Sequence, residues 1–202
     1  DVVETVGRAR AAGFANVNVD LIFGAPGQTE ASWERSLDAA LELGVEHVSA
    51  YGLTIEEGTP YARWHARDPA AFADDAREAS LYALAIAKLT GAGYEHYEIS
   101  NFARPGFRCE HNANYWRNGE YRGFGAGAAS YAGGVRSTHT RDRGVYEAAA
   151  LAGTPIPGDS EELTGAARTG EAVMLALRTS EGVDAGTFRE RYGVDVFTQY
   201  AP

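Results

Sequence analysis

The sequence predicts an α/β fold in which parallel strands are joined by helices. Helical and strand patterns alternate from residue 2 to residue 99, in the order α, β, α, β, α, β. The two segments that connect the strands are too long for hairpins, and each contains a helical pattern. Strands joined by such right-handed crossovers run parallel within one sheet. Local pattern alone leaves two architectures open, part of a barrel or part of an open sheet.

Turn and capping signals define the first elements. Residues 2–12 suit a helix ended by a glycine, and residues 17–23 suit a strand that runs into a Gly- and Pro-rich loop. Thr29 is placed to cap a helix over residues 30–43. Residues 47–51 form the second short strand, so the first two strands are separated by one complete helix.

The second crossover is a long helix over residues 70–90, followed by a third strand over residues 94–99. Residues 101–140 are rich in Asn, Arg, Gly and aromatic residues and show little periodicity. Helical patterns return over 145–151, 161–177 and 183–192. The regular alternation of helix and strand patterns therefore ends after the third strand.

A Gly- and Pro-rich linker over residues 153–159 separates the last two helical patterns from the rest. We predict a boundary near residue 155, between a first domain at 1–154 and a small C-terminal helical domain at 155–202. The chain begins at Asp1 inside a helical pattern, without a Met, and stops with no closing element. This predicts an internal fragment of a longer protein.

Charge and cysteine content narrow the function classes. The formal net charge of -10 argues against a general nucleic-acid binder and against attachment to an anionic membrane surface. No run approaches the roughly 20 apolar residues that a membrane span needs. Cys109 is the only cysteine, so the chain has no internal disulfide, which fits a reducing cytoplasm.

Asp20 is the first candidate site residue. Side chains alternate along a strand, so Asn18 and Ile22 share a face with Asp20 within an otherwise apolar run. A buried carboxylate is costly unless it is paired. One interpretation is an internal Arg or amide partner, or an error in the strand assignment. The other is a polar ligand contact at the carboxyl end of a parallel sheet, where such folds bind substrates.

The densest polar and aromatic cluster lies at residues 109–118. His111 precedes Tyr115 and Trp116, and an imidazole beside large rings has the components of a flat tetrapyrrole site. The alternative is that both aromatic residues belong to the core and that the imidazole is a hydrogen-bond donor in a loop. Composition alone favours this alternative.

Two further segments are candidates for contact with a ligand. Residues 123–134 are Gly-rich and suit a tight backbone wall against a ligand better than a phosphate cradle, because no strand and helix bracket a dinucleotide fingerprint.

Seven arginines lie within forty residues, at positions 104, 108, 117, 122, 136, 141 and 143. They either receive the carboxylates of an anionic substrate or form a solvated face.

Five motifs in order resemble one family, the HemW-type radical-SAM proteins, which are haem chaperones related to the oxygen-independent coproporphyrinogen III oxidases. The motifs are D-L-I-F-G at 20–24, P-G-Q-T at 26–29, Y-G-L-T-I-E-E-G-T-P at 51–60, Y-E-I-S-N-F-A at 97–103 and H-N-A-N-Y-W at 111–116. The last matches the H-N-x-x-Y-W of the family. The resemblance spans essentially the whole chain.

The resemblance implies a partial TIM-type barrel that binds S-adenosylmethionine and a 4Fe–4S cluster, followed by a C-terminal helical domain. It implies that Asp20, Thr54 and Tyr131 contact S-adenosylmethionine. It also implies that four residues of the H-N-x-x-Y-W motif contact haem, namely His111, Asn112, Tyr115 and Trp116. The implied partners are haem or porphyrin and client haem proteins, with membrane contact only through those clients.

The sequence also departs from the family. The C-x-x-x-C-x-x-C motif that holds the cluster is absent, and Cys109 alone cannot replace three thiolates, so we expect the cluster ligands upstream of Asp1. The cofactor-binding Gln and Arg of the oxidases fall before residue 1 as well. Ala129 stands where the family usually has the His of G-x-G-A-H-S. We therefore expect this polypeptide by itself to perform no radical chemistry, with a coproporphyrinogen oxidase as the alternative function of the parent protein.

Overall fold

The structure, a computed structural model, describes residues 1–200. It divides the chain into two compact units. Unit 1 is Asp1–Cys109, and unit 2 begins at Glu110. Each unit is described by itself.

Unit 1 is an α/β unit with a four-stranded sheet in the order β1-β2-β4-β3. Its elements are α1 (Val2–Ala11), β1 (Asn18–Phe23), α2 (Glu30–Glu42), β2 (His47–Gly52), α3 (Pro60–Arg67), a 3-10 turn (Pro69–Ala71), α4 (Asp75–Gly91), β3 (Glu95–Glu98) and β4 (Asn101–Ala103). Strands β1 and β2 are parallel, with Asn18 opposite His47 and Phe23 opposite Gly52. The predicted parallel pair is therefore confirmed.

Helices α2 and α4 cover one face of this sheet. Trp33 and Leu37 of α2 and Leu81 of α4 are almost fully buried against Val48 and Phe102 of the sheet. The Trp33 indole Nε1–H donates to the Leu81 carbonyl oxygen at 2.9 Å, so the large ring is buried without an unpaired polar atom. Burying these side chains fixes which face of each strand points away from the helices.

The N-terminus of α2 follows the capping prediction. The Thr29 hydroxyl accepts from the Ser32 backbone N–H at 3.1 Å, and the Thr29 N–H donates to the Ser32 hydroxyl at 2.9 Å. This reciprocal pair satisfies two backbone N–H donors at the start of the helix. Thr29 therefore ends the loop that follows β1.

The third strand differs from the prediction. Residues 95–98 form β3, but β3 pairs with β4 rather than with β2, and β4 is antiparallel to both neighbours. Only Ile99 and Ser100 connect β3 to β4, which is a hairpin connection. Because this turn contains neither Gly nor Pro, the sequence gives no sign of it. The sheet is therefore mixed.

Unit 2 combines an antiparallel sheet with short helices. Its elements are α5 (Glu110–Trp116), β5 (Ala129–Ala132), β6 (Val135–His139), α6 (Arg143–Ala152), β7 (Gly158–Glu162), α7 (Gly165–Ala176), α8 (Ala185–Tyr192) and α9 (Val196–Gln199). The sheet order is β5-β6-β7, antiparallel throughout. A small core joins α7, α8 and α9 through Ala172, Phe188 and Val196.

Several predictions for this part of the chain were wrong in detail. The stretch 101–140 contains β4, α5, β5 and β6, and the helix predicted from residue 161 begins at Gly165. Residues 158–162 form β7, whose side chains are all exposed. A strand whose side chains are all exposed shows no alternation of apolar and polar residues, so its sequence resembles a linker.

The division into units also differs from the predicted boundary near residue 155. That position falls between α6 and β7, and β7 is hydrogen-bonded to β6, so the compact unit continues across it. The helices expected near the end of the chain are present as α7 and α8. Within residues 1–200, no helix is both long and apolar enough to cross a membrane.

Candidate functional site

The sheet face of unit 1 that points away from α2 and α4 is polar. Residues directly opposite each other on paired strands lie on the same face. Asp20 is opposite Ser49, and Ser49 is opposite Asn101, so these three residues form one row across β1, β2 and β4. Asn18 and His47 form the next row toward the start of β1 and β2. We call these five residues the polar face.

A continuous chain of hydrogen bonds runs through the polar face. The Asn18 amide donates from Nδ2 to Asp20 Oδ1 at 2.6 Å, and its Oδ1 lies 2.6 Å from His47 Nδ1. His47 Nε2 lies 2.8 Å from the Tyr97 hydroxyl, which also accepts the Cys109 backbone N–H at 3.2 Å. These hydrogen bonds therefore link the exposed carboxylate of Asp20 to the buried side chains of His47 and Tyr97.

These contacts fix the tautomer of His47. An amide oxygen can only accept, so the His47 Nδ1 carries the hydrogen and Nε2 accepts from the Tyr97 hydroxyl. Burial lowers the pKa of His47 below its ordinary value, while the Asp20 carboxylate acts in the opposite direction. Burial raises the pKa of Tyr97 to about 12. Both groups are neutral near pH 7, and the polar face has no positive charge from them.

Asp20 is exposed, so the expectation of a carboxylate in a buried apolar run was wrong. The strand assignment holds, but only the face with Val19 and Phe23 is buried, and Asp20 and Ile22 point to the other side. The amide partner that one interpretation required is Asn18. Because Asp20 is exposed, its carboxylate keeps its contact with water and is available to a ligand.

The loop after β1 is closed by Gln28. The Gln28 side chain accepts the Gly24 N–H at 2.8 Å and donates to the Ile22 carbonyl oxygen at 3.2 Å. Gly24 has φ +81, and a Cβ at this position would lie 3.1 Å from the Glu78 carboxylate. The G-x-P-G-Q-T segment is therefore a loop whose shape depends on glycine and on one clamping amide.

A cavity of about 550 Å³ opens at the carboxyl ends of β1 and β2. Its lining includes Ile22, Tyr51, Thr54 and Ser100. Thr54 is exposed in the loop after β2, next to this cavity. Ile22 and Tyr51, which line the cavity, lie two residues beyond Asp20 and Ser49 on the same strands. The cavity is therefore next to the row formed by Asp20, Ser49 and Asn101. Its place at the carboxyl edge is where α/β sheets bind ligands.

Helix α5 contains the four residues of the H-N-x-x-Y-W motif, on two different sides. His111 and Tyr115 are one turn apart; their rings meet edge to face at 4.8 Å, and His111 Nε2 lies 3.0 Å from the Tyr115 hydroxyl. Asn112 and Trp116 share the adjacent side. The Arg178 guanidinium lies 4.6 Å from the centre of the Trp116 ring, so one side of the indole is occupied within the protein.

His111 is exposed and Trp116 is half-buried, with its Nε1 atom inaccessible and without a hydrogen-bond partner among the described residues. The imidazole is the one group of the motif that combines exposure with the ability to ligate iron. The interpretation of Trp116 as a core residue fits its packing under Arg178. Of the four motif residues, only His111 is exposed, and Asn112, Tyr115 and Trp116 are half-buried.

Tyr131, the third expected S-adenosylmethionine contact, is buried in β5 of unit 2. Its ring lies near Tyr121 and under the Arg136 guanidinium, which is 5.9 Å from the ring centre. Arg136 is paired with Glu171 at 2.7 Å. Asp20 and Thr54 belong to unit 1, so the three expected contacts are divided between the units.

Most of the seven arginines have partners within the chain. Arg108 contacts Glu95 at 3.0 Å, Arg117 contacts Glu110 at 3.2 Å, and Arg143 contacts Glu147 at 3.7 Å. Arg136 contacts Glu171, and Arg104 lies 4.7 Å from the centre of the Tyr94 ring. These internal pairs favour the interpretation of a structural and solvated set over that of a cluster held ready for substrate carboxylates.

The implied cofactors fit the described residues to different degrees. In residues 1–200, no group of three or more His, Cys, Asp or Glu side chains is placed to hold a metal ion, and one thiol cannot hold a 4Fe–4S cluster. For S-adenosylmethionine, the polar face offers the exposed carboxylate of Asp20, whose Oδ1 also accepts from Asn18. Haem fits the exposed imidazole of His111.

Sequence reasoning missed His47, Tyr97 and Asn101. His47 is one of several scattered histidines in the sequence, and only the strand register places it beside Asn18. Tyr97 and Asn101 lie in the hairpin that the sequence does not announce. Two signals were available, the shared face of Asn18 and Asp20 and the Y-E-I-S-N-F-A motif at 97–103, which contains Tyr97 and Asn101.

Comparison with known proteins agrees with the motifs. The chain is 42% identical over 191 residues to heme chaperone HemW of Mycobacterium tuberculosis, covering 91% of this chain and 49% of that protein. It is 38% identical over 194 residues to heme chaperone HemW of Bacillus subtilis, covering 96% of this chain and 51% of that protein. The chain thus spans about half the length of these relatives.

Two further matches concern the oxidase branch. The family model described as the HemN C-terminal domain matches residues 163–202. The structure of coproporphyrinogen III oxidase (HemN) from Escherichia coli, a radical SAM enzyme, has a similar fold, with a TM-score of 0.77 and 20% identity. That match covers 98% of this chain and 48% of the oxidase. The resemblance to the HemW-type family, stated from the motifs, is confirmed by these relatives.

Proposed function

We propose that this chain, which is homologous over most of its length to the proteins named heme chaperone HemW, is part of a protein that binds haem and delivers it to client haem proteins. The observation that supports a haem site in this chain is the exposed imidazole of His111 on α5, with the Tyr115 ring set edge-on against it. An imidazole can ligate haem iron, and an adjacent aromatic ring offers contact to the macrocycle.

Haem ligation by this residue requires a change of partner. His111 Nε2 faces the Tyr115 hydroxyl at 3.0 Å, so binding iron through Nε2 replaces a hydrogen bond to a phenol. The phenol then turns to solvent, because Tyr115 is only half-buried. In this proposal, Asn112 and Trp116 lie on the same helix as the ligand. The contact between the Trp116 ring and the Arg178 guanidinium holds that helix in position.

A haem titration of the full-length protein tests the proposal. Wild type is compared with His111→Ala and with His65→Ala, which removes an exposed imidazole from α3 in unit 1. We expect a saturable shift of the Soret band in wild type and in His65→Ala, and its loss in His111→Ala. Equal shifts in all three proteins would place the ligand elsewhere, and no shift in wild type would overturn the proposal.

The second candidate is an oxygen-independent coproporphyrinogen III oxidase. The fold likeness to the Escherichia coli enzyme is the observation that favours it. Formation of protoporphyrinogen by the full-length, anaerobically reconstituted protein would support this candidate, and absence of product together with haem binding would remove it.

The finer parts of the proposal come from the family. We place the mixed sheet of unit 1 in a partial TIM-type barrel and assign Asp20, Thr54 and Tyr131 to S-adenosylmethionine. The ligands of the 4Fe–4S cluster would come from residues outside this sequence. Haem or porphyrin and client haem proteins are the proposed partners, and the single cysteine fits the proposed cytoplasmic location.

A further inference from the structure

Helix α5, which contains the H-N-x-x-Y-W motif, is only seven residues long. A helix of this length is not stable by itself in water, so it depends on contacts made by the rest of the protein. The last carbonyl groups of a helix have no partner within the helix and need donors from elsewhere. The groups that meet the carboxyl end of α5 therefore help to decide whether the motif residues are held on a helix.

The chain leaves α5 through a left-handed turn at Asn118. Asn118 has φ +52 and is the only residue other than glycine with a positive φ in residues 1–200. The Asn118 N–H donates to the Tyr115 carbonyl oxygen at 2.9 Å, and the Gly119 N–H donates to the Asn114 carbonyl oxygen at 2.8 Å. This pair of hydrogen bonds closes the helix by the Schellman arrangement. Because a left-handed conformation is uncommon for a residue with a side chain, the turn needs support from its surroundings.

Arg191 of α8 supplies that support to the backbone. Its Nη1 donates to the Arg117 carbonyl oxygen at 2.6 Å, and its Nη2 donates to the Asn118 carbonyl oxygen. A guanidinium presents its N–H groups in a rigid fork, so the two contacts fix the two carbonyl groups relative to each other. Its positive charge also interacts favourably with the partial negative charge at the carboxyl end of a helix.

Tyr192, the next residue of α8, holds the side chain of the same turn. The Asn118 Nδ2 donates to the Tyr192 hydroxyl at 3.3 Å, and Asn118 is 5% exposed. The Tyr192 ring lies 4.8 Å from the Phe188 ring and packs against the small core of α7, α8 and α9. The end of α8 therefore connects this core to the end of α5.

We infer that Arg191 is a positioning residue for haem binding and acts by holding the carboxyl end of α5. His111 and Tyr115 are one turn apart, and their rings meet because the turn between them is helical. When the end of α5 opens, this pair separates, and only the fraction of molecules with a formed helix binds haem. The inference rests on the proposed binding of haem by His111. It gives the segment that matches the HemN C-terminal domain a part in that binding.

The test is a haem titration of the full-length protein, followed by the Soret band. Arg191→Ala removes both contacts to the turn, and Arg191→Lys presents a point charge in place of the fork. Tyr192→Phe keeps the ring and removes the hydroxyl that accepts from the turn. Arg189→Ala is the matched control, because it removes a guanidinium of the same helix that contacts Asp195 instead of α5.

We expect Arg191→Ala to weaken haem binding about 10-fold, as for loss of hydrogen bonds from a charged group. Tyr192→Phe weakens it about 3-fold, as for a neutral hydrogen bond, Arg191→Lys lies between Arg191→Ala and wild type, and Arg189→Ala binds as wild type. At saturating haem all variants show the wild-type Soret maximum, because His111 remains the ligand. Amide exchange of residues 113–119 is faster in Arg191→Ala, while exchange in β5 and β6 is unchanged.

Several results would overturn the inference and leave the proposed haem site standing. They are wild-type affinity or unchanged amide exchange in Arg191→Ala, equal weakening in Arg189→Ala, and a changed Soret maximum in Arg191→Ala, which would mean that Arg191 acts on the iron ligand and not on the helix. If Arg191→Ala does not fold, the same comparisons of Arg191→Lys and Tyr192→Phe with the control decide. No saturable shift in wild type would refute the proposed function together with the inference.

Discussion

The Tyr97 hydroxyl connects two parts of unit 1, and its removal gives a calculable loss of stability. Tyr97 is 3% exposed, and its hydroxyl donates to His47 Nε2 and accepts the Cys109 N–H. In Tyr97→Phe the ring remains, but the acceptor on His47, itself 5% exposed, loses its partner. Cys109 is half-buried, so we expect its N–H to find water in place of the hydroxyl.

The expected cost follows from these burials. One buried acceptor without a partner lowers the free energy of unfolding by about 1–3 kcal/mol. The assay is urea unfolding of the purified protein at pH 7.5, followed by fluorescence. Tyr61→Phe is the control, since its hydroxyl is on an exposed residue of α3, and we expect a change within about 0.5 kcal/mol.

A double-mutant cycle with His47→Leu separates the hydrogen bond from general packing. If the two groups interact, the double variant loses less stability than the sum of the single variants, by about 0.5–3 kcal/mol. Additive losses would refute the hydrogen-bond chain, and a stability change in Tyr97→Phe as small as that in Tyr61→Phe would refute the burial argument.

Three further predictions are tested by urea unfolding, and the third also by amide exchange. Because the folded-state pKa of His47 is below its ordinary value of 6.5, the unfolded state binds more protons, and stability falls as the pH drops below 6.5; His47→Gln should flatten this slope. Arg10→Ala removes two contacts of 2.7 and 2.8 Å to the Glu46 carboxylate and should cost about 1–2 kcal/mol at pH 7, while an unchanged midpoint would contradict it. Gln28→Ala opens the clamp on loop 24–28 and should cost about 1 kcal/mol and speed amide exchange there; unaltered exchange would show that the clamp is dispensable.

The proposed haem and cofactor sites draw on different kinds of evidence. The α5 site depends on an exposed imidazole that the motif already marks, whereas the row on the polar face depends on strand register.

Elements with a strong local signal were predicted from sequence. β1, α2 and β2 were placed within a residue or two, and the Thr29 cap formed as expected, because capping and apolar periodicity are properties of consecutive residues. The parallel pairing of β1 with β2 followed from the length of the connection. Of the elements that were not predicted, β4 and β7 have no such signal, whereas α3 has one, since Thr59 caps it and Pro60 is its first residue.

The sequence alone determined that the chain is an α/β protein with HemW-type motifs, that it is acidic, and that a carboxylate stands on the strand before the G-x-P-G-Q-T loop. Only the tertiary structure decided which face of β1 is exposed and which residues share a row with Asp20. Periodicity describes one strand at a time, whereas the meeting of Asp20, Ser49 and Asn101 depends on the pairing of three strands separated by up to eighty-one positions. Burial of Trp33, Leu37 and Phe102 sets that pairing, because an offset of one residue would turn the apolar face toward water.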